Sequence, residues 1–364
     1  MTKKILGFCI FLGVFSLIYG GMNYYVYKHI VTGLSISGGA LFGVRIGFWL
    51  LGSAYIVNQI IKRKVYIRLL AYLGAAWMGI LSFALSIFIV FDILRLLIVS
   101  IDYHTGFNIS LLTITLLTLT SVFNAAKGPV VKSINIKHNK FNGLGLRVVQ
   151  LSDVHLGMLT SDKWISDIVS KVNSLEPDII VITGDFIDDT FIAVERYIPI
   201  VSGLKAKNGI YAVSGNHEHY QGENSFDKFC KETNIKVLNN EAHTLGNINL
   251  IGLDDASVSR RKDFHKVIGS ILDGLNKEFY NILLIHQPLG FEKSSDLGVD
   301  LQLSGHTHGG QIPPLSIIVY FFYKYSYGLY AYKNSHIYTS SGTGTWGPPM
   351  RLFTKSEIVL LDIH

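Results

Sequence analysis

Charge, cysteine and proline are all scarce in this sequence of 364 residues. Only 16% of it is Asp, Glu, Lys or Arg, against about 25% in an ordinary soluble domain. Together with a mean hydropathy of +0.35, that shortage argues against a wholly cytosolic protein and excludes an intrinsically disordered one. With two cysteines, Cys9 in an apolar run and Cys230 in a polar region, a disulfide scaffold is excluded and no pairing is expected. Eight prolines and no Gly-X-Y period exclude a collagen-like chain. Acids are scarcest where apolar residues are densest. Residues 1–132 hold eleven Lys/Arg against two acids, Asp92 and Asp102, a net +9 that leaves −3 for the rest. The overall +6 therefore belongs to the first third, and no nucleic-acid partner is expected. Eleven of the thirteen histidines lie in the remainder.

The first third contains four apolar stretches, residues 5–25, 36–61, 69–91 and 107–123. A bilayer core about 30 Å thick needs about 20 helical residues. The first three stretches meet that length. The fourth is short and rich in threonine, but Ser and Thr hydroxyls can bond back to the helix's own carbonyls. The alternative is a pair of buried soluble helices or strands. Lys3 and Lys4 precede a run too long for a cleaved signal peptide and closed by no Ala-x-Ala site, so a retained signal anchor is expected. Arg45, Asp92 and Arg95 are expected to sit near span ends and snorkel. Basic residues alternate between loops: Lys3 and Lys4, then Lys62, Arg63, Lys64 and Arg68, then Lys127 and Lys132. That alternation predicts about four spans with both ends in the cytoplasm, a multi-pass protein of the cytoplasmic (inner) membrane with a cytoplasmic catalytic domain. The domains are expected at 1–132 and 133–364.

Beyond residue 137 short apolar runs alternate with helical segments. Strands are predicted at 146–151, 179–183, 210–213, 282–285 and 301–303. Helices are predicted at 161–173, 191–202, 223–232 and 263–275, the first capped by Ser161. The tail adds strands at 328–332, 337–340 and 358–363, giving an α/β domain with a mixed sheet or sandwich. Each of the first five strands is followed by metal-capable side chains: Asp153-Val154-His155, Gly184-Asp185, Gly215-Asn216-His217-Glu218, His286-Gln287-Pro288 and Gly305-His306-Thr307-His308. Open α/β sheets place ligand sites at such strand ends. Mixed carboxylates and imidazoles suit Mn, Fe, Co, Ni or Zn.

Five such motifs in this order, over residues 145–364, resemble the calcineurin-like metallophosphoesterase family. The run Gly305-His306-Thr307-His308-Gly309-Gly310-Gln311 resembles its membrane-associated bacterial branch, which acts on lipid-linked phosphoesters. The resemblance implies a four-layer α-β-β-α sandwich behind the transmembrane bundle. It also implies two divalent metal ions, manganese first, with iron, zinc, magnesium, nickel or cobalt as alternatives. Asp153, His155 and His308 would hold one ion, Asn216, His286 and His306 the other, and Asp185 would bridge them. A hydroxide between the ions would attack phosphorus, and His217 would serve the leaving group, with Asn216 and His217 touching substrate. His219, His243, His265 and His336 are expected to be ordinary imidazoles; Asp188 and Asp189 could orient the ligands from behind, but are expected to be solvated loop acids.

Residues 312–325, apolar and aromatic with one lysine, follow directly from two of these ligands. They predict either a core element or an interfacial segment. The favoured function is hydrolysis of a lipid-linked phosphodiester or pyrophosphate such as UDP-2,3-diacylglucosamine at the bilayer surface. One alternative is a phosphatase or phosphodiesterase for soluble nucleotides or phosphoproteins, merely tethered to the membrane. Another is a transport or scaffold protein with an inactive phosphoesterase domain. The presence of all eight expected site residues, and the lack of an array of acids in the spans, speak against that one.

Overall fold

A computed structural model of the chain describes residues 2–61, 67–98, 100–141, 145–221, 223–255, 258 and 264–364, without side chains at 2–12 and 220–224. The basic residues Lys3, Lys4, Lys62, Arg63 and Lys64, on which the expected topology leans, thus fall outside the described side chains. The chain divides into two compact units. One comprises Met1–Phe123 with Ile312–Pro314 and Gly347–Leu352, and the other Asn124–Gln311, Leu315–Trp346 and Phe353–His364.

The helical unit contains α1 (Thr2–Gly33), α2 (Gly38–Ile61), α3 (Arg68–Leu97) and α4 (Tyr103–Ala126). Among the described residues, α2, α3 and α4 are long and apolar enough to cross a membrane. The threonine-rich stretch is therefore the middle of a longer helix, and its hydroxyls bond back as anticipated: Thr113 Oγ1 donates to Ile109 O at 2.8 Å and Thr115 Oγ1 to Leu111 O at 2.9 Å. Small residues let the helices approach closely. A Cβ on Gly74 of α3 would lie 2.6 Å from the Tyr55 nitrogen of α2. Phe83, Phe88 and Phe107 form the core with Ile312, Met350 and Leu352 from the two short segments. Asp92 lies five residues before the end of α3 with 39% of its side chain exposed, and it is also paired: Tyr25 Oη donates to its carboxylate at 2.6 Å and His29 Nε2 lies 3.2 Å away. Arg95 stands 4.9 Å over the Tyr103 ring.

The second unit is an α/β sandwich of two six-stranded mixed sheets. The first runs β1 (Val130–Ile136), β12 (Glu357–Ile363), β2 (Leu146–Leu151), β3 (Ile179–Thr183), β4 (Ile210–Val213) and β5 (Lys236–Val237). The second runs β10 (Gly328–Tyr332), β11 (Ser335–Thr339), β9 (Leu301–Ser304), β8 (Tyr280–Leu284), β7 (Ile248–Gly252) and β6 (Glu241–Leu245). Residue 132, the expected domain limit, lies inside β1, which pairs in parallel with β12.

Period-two alternation splits the strands between layers. Val148, Ile179 and Val181 meet Ile282, Leu284 and Leu303 of the other sheet. Val149, Ile180 and Ile182 point outward to α5 (Asp162–Ser174) and α6 (Glu223–Glu232). On the far side, α7 (His265–Leu272) covers Ile251, Leu283 and Ile285. These contacts make four layers, α-β-β-α. Ser161 caps α5 by accepting the Trp164 N–H at 3.2 Å. Of the apolar run after Gln311, Ile312 and Tyr325 are buried in core clusters, whereas α8 (Leu315–Phe322) between them buries no residue, so the core alternative holds at the ends of the run and not for the helix.

Candidate metal centre

Parallel pairing of β2, β3 and β4 in one sheet, and of β8 and β9 in the other, sets all five motif loops at strand carboxyl ends. The loops turn sharply. Asp153, His155, Asp185, His306 and His308 all have positive φ, between 50° and 69°. Such backbone strain in side-chain-bearing residues concentrates at functional sites, where the surroundings over-determine it. The two sheets are stitched together here, because the His306 N–H donates to both Asp153 carboxylate oxygens at 3.0 and 3.1 Å.

All eight sequence-derived residues converge. Three ligand triplets result, Asp153–His155–His308, His155–Asp185–His217 and Asp185–His286–His306, with donor atoms within 4.8 Å of one another in each. Asp185 and His155 each belong to two of them. His286 Nε2 lies 3.2 Å from Asp185 Oδ2, from Asn216 Oδ1 and from His306 Nδ1. Its other nitrogen, Nδ1, is 2.8 Å from the Thr183 carbonyl, which requires a proton on Nδ1 and turns Nε2 toward the site.

The donor set fits divalent cations. Nitrogens bound about 2.0–2.1 Å from an ion stand about 2.8–3.4 Å apart, from octahedral to tetrahedral arrangements. The His155–His308 pair, at 3.1 Å, and the His286–His306 pair, at 3.2 Å, have that spacing. Burial would raise the Asp185 carboxyl, but the imidazolium charges of His286 and His217 outweigh it and hold the group well below the usual range. Burial, with His286 as a like-charged neighbour, pushes His306 down to about 3. Burial would lower His286 as well, but the Asp185 and Asp153 carboxylates outweigh it and push His286 well up, so a cation binding here must displace a His286 proton.

Comparison with known proteins agrees with this geometry. Residues 146–310 match the family described as calcineurin-like phosphoesterase. An uncharacterized metallophosphoesterase of Campylobacter jejuni is 31% identical over 377 aligned positions, covering 98% of each chain. The chain belongs to the calcineurin-like metallophosphoesterase family. An uncharacterized metallophosphoesterase of Helicobacter pylori is 38% identical over 60% of either chain. A protein of Bos taurus named transmembrane protein with metallophosphoesterase domain is 31% identical over 70% of this chain and 62% of its own. The protein is thus a metal-dependent phosphoesterase, a hydrolase whose clustered carboxylates and imidazoles support divalent ions.

Other residues of this metallophosphoesterase build the site without being legible as ligands. Glu218, quoted in the motif but given no role, is buried, and its carboxylate accepts the N–H groups of Asp185, Phe186, Ile187 and Gly215 at 2.7–3.1 Å. Asp188 is not a solvated acid: its carboxylate meets His217 Nδ1 in a very short contact. Burial alone would lower His217, but the Asp188 and Asp185 carboxylates push it up to about 9. Asp189 is buried and accepts the Met158 N–H at 2.9 Å. The motif glycines make room: a Cβ on Gly305 would lie 1.8 Å from Ser152 Oγ, and one on Gly215 2.2 Å from Asp185 Oδ1. Among the other histidines, His219 Nε2 lies 2.9 Å from Asp254 and His265 Nε2 3.0 Å from the Gly290 carbonyl.

Proposed function

We propose that the protein is a membrane-anchored phosphohydrolase that uses two divalent cations to cleave a lipid-linked phosphodiester or pyrophosphate, of which UDP-2,3-diacylglucosamine is one example. Asp153, His155 and His308 would hold one cation and Asn216, His286 and His306 the other, with Asp185 between them. When bound, such ions supply Lewis acidity toward phosphoryl oxygen and lower the pKa of water to make a nucleophile. Mixed oxygen and nitrogen donors are compatible with manganese, the metal we expect. The chain's own residues do the rest. His217, whose Nδ1 is paired with the Asp188 carboxylate, would carry the proton that the leaving oxygen needs. Asn216 and His217 border the space for the phosphoryl group, and Glu218 fixes the loops that carry Asp185 and Asn216 by binding four backbone N–H groups.

The lipid part rests on one observation. α8 begins four residues after Gln311 and exposes Ile317, Phe321 and Phe322 at 62%, 84% and 76%, while Tyr323, at its end, sets its ring 5.6 Å from that of His306. An apolar helix turned to solvent beside a ligand loop suits an acyl-chain boundary. The alternation of basic loops supports four spans and a cytoplasmic site at the inner membrane. The test is the double substitution Phe321→Ser and Phe322→Ser. Hydrolysis of a lipid phosphodiester in vesicles should fall about tenfold, with a soluble chromogenic ester cleaved as before. Equal losses on both substrates would remove the lipid assignment.

A further inference from the structure

Several groups surround the His217 ring. Asp188 occupies its Nδ1, Asp185 Oδ2 lies 4.0 Å from its Nε2, and the His155 ring lies at 4.8 Å and 82°. The Trp346 ring also meets it nearly at right angles, 6.2 Å between centroids. Trp346 is partly exposed and lies between strands β11 and β12, where a loop of Ser, Gly and Thr could not fix an indole by itself.

Two attachments fix it. Upstream, the Thr343 N–H donates to the Ser152 carbonyl at 2.7 Å and the Gly344 N–H to the Asp153 carbonyl at 2.9 Å. A Cβ on Gly344 would lie 2.3 Å from the Val154 carbonyl, so this close approach requires glycine. At Trp346 itself, the buried Gln311 side chain binds the backbone from both directions. Gln311 Nε2 donates to the Trp346 carbonyl at 3.0 Å, and the Trp346 N–H donates to Gln311 Oε1 at 2.9 Å. Gln311 adopts φ 42°, a left-handed conformation rare for a residue with a side chain, three positions after His308. A primary amide presents a donor and an acceptor side by side, which neither a carboxylate nor a hydroxyl can do against one residue's N–H and C=O.

We propose that Gln311 and Trp346 are positioning residues: the amide clasp holds the indole against the His217 imidazole and keeps its proton aimed at the leaving oxygen. The proposal rests on His217 being the leaving-group acid. A proton donor matters when the leaving group is a poor one and hardly at all when it is good. Substrate choice therefore separates the role from a structural one.

The experiment measures kcat and KM of the full-length, metal-loaded enzyme on methyl aryl phosphodiesters running from dinitrophenol to unsubstituted phenol as leaving group. The variants are Gln311→Ala, Trp346→Ala, Trp346→Phe and His217→Asn, each with its bound metal measured. For Gln311→Ala and Trp346→Ala, kcat should fall about tenfold or more with phenol and less than about threefold with dinitrophenol, at unchanged metal content. Trp346→Phe keeps both backbone bonds and most of the ring contact, and should retain more activity on the phenol ester than Trp346→Ala, even should the alanine variants fold poorly. A loss that is uniform along the series, or no loss, in Gln311→Ala and Trp346→Ala while His217→Asn is steep would overturn the clasp alone. A uniform loss in His217→Asn would overturn the assignment of His217 as acid, and the clasp with it.

Discussion

In the helical unit Trp49, Leu96 and Leu97 turn outward with 74%, 81% and 75% of their surface free, whereas every residue of β3 and β8 in the second unit is buried. Polar groups are arranged the opposite way. The second unit encloses Asp153, Asp185, Glu218 and His286. The acids of the first third are only Asp92 and Asp102. Side-chain chemistry thus sorts the two units: among the described residues, three helices of the first are long and apolar enough to cross a membrane, whereas the second packs its apolar residues inside. One element breaks the sorting: α8 belongs to the second unit by connectivity but is as outwardly apolar as α2 or α4.

The sharpest way to break this contrast is to weaken the polar interior at its centre. Asp185 is the carboxylate common to two ligand triplets. It also accepts the His217 N–H at 2.9 Å. Asp185→Asn removes the negative charge that balances His286, His217 and any cation. Turnover of a soluble aryl phosphodiester should fall by about 10³ or more, with less metal retained after gel filtration. Full activity in this variant would sink the two-cation reading.

Glu218 tests the same interior with a smaller expected effect. Burial and the neighbouring Asp185 charge raise its carboxyl, yet four N–H donors make the anion the better partner. Glu218→Ala leaves those donors in a dry pocket, costing about 3–5 kcal/mol, or about 10 °C in the melting temperature of the detergent-solubilised protein. A melting temperature within 2 °C or so of wild type would mean that water or a loop shift replaces the carboxylate.

The difference between Asp185 and Glu218 also marks what a linear reading reaches. Ligands that directly follow apolar strands are legible because strand, turn and ligand are contiguous, and β2, β3 and β4 lie at the residues expected. Glu218 is legible only once the β3 and β4 loops are side by side, since its partners lie up to 33 residues away. Asp188 looks solvated for the same reason: its partner His217 is 29 residues on. Strands β1, β6 and β7 escape because Val-Val-Lys-Ser-Ile-Asn-Ile, Glu-Ala-His-Thr-Leu and Ile-Asn-Leu-Ile-Gly lie near sheet edges or mix polar residues into the run. α8 has no periodic stripe to read, because it has no buried face.

The smallest expected effect probes the contrast from the other side, where a polar group sits in the apolar unit. Tyr25 Oη donates to Asp92 at 2.6 Å, and His29, stacked 4.4 Å from Phe88, approaches the same carboxylate oxygen at 3.2 Å. Hydrogen bonds between membrane helices are worth about 0.6 kcal/mol on average and up to about 1.7, because the separated helices also find partners. Tyr25→Phe should therefore lower thermal stability in detergent by only about 2–4 °C and leave kcat on a soluble ester unchanged. Asp92→Leu should cost less than Tyr25→Phe: removing the carboxylate takes away the group that needs donors, whereas removing the hydroxyl leaves that group short of one. The opposite order would mean that the Asp92 charge itself binds the helices together, and the helical unit would then share the buried-charge logic of the metal-site unit.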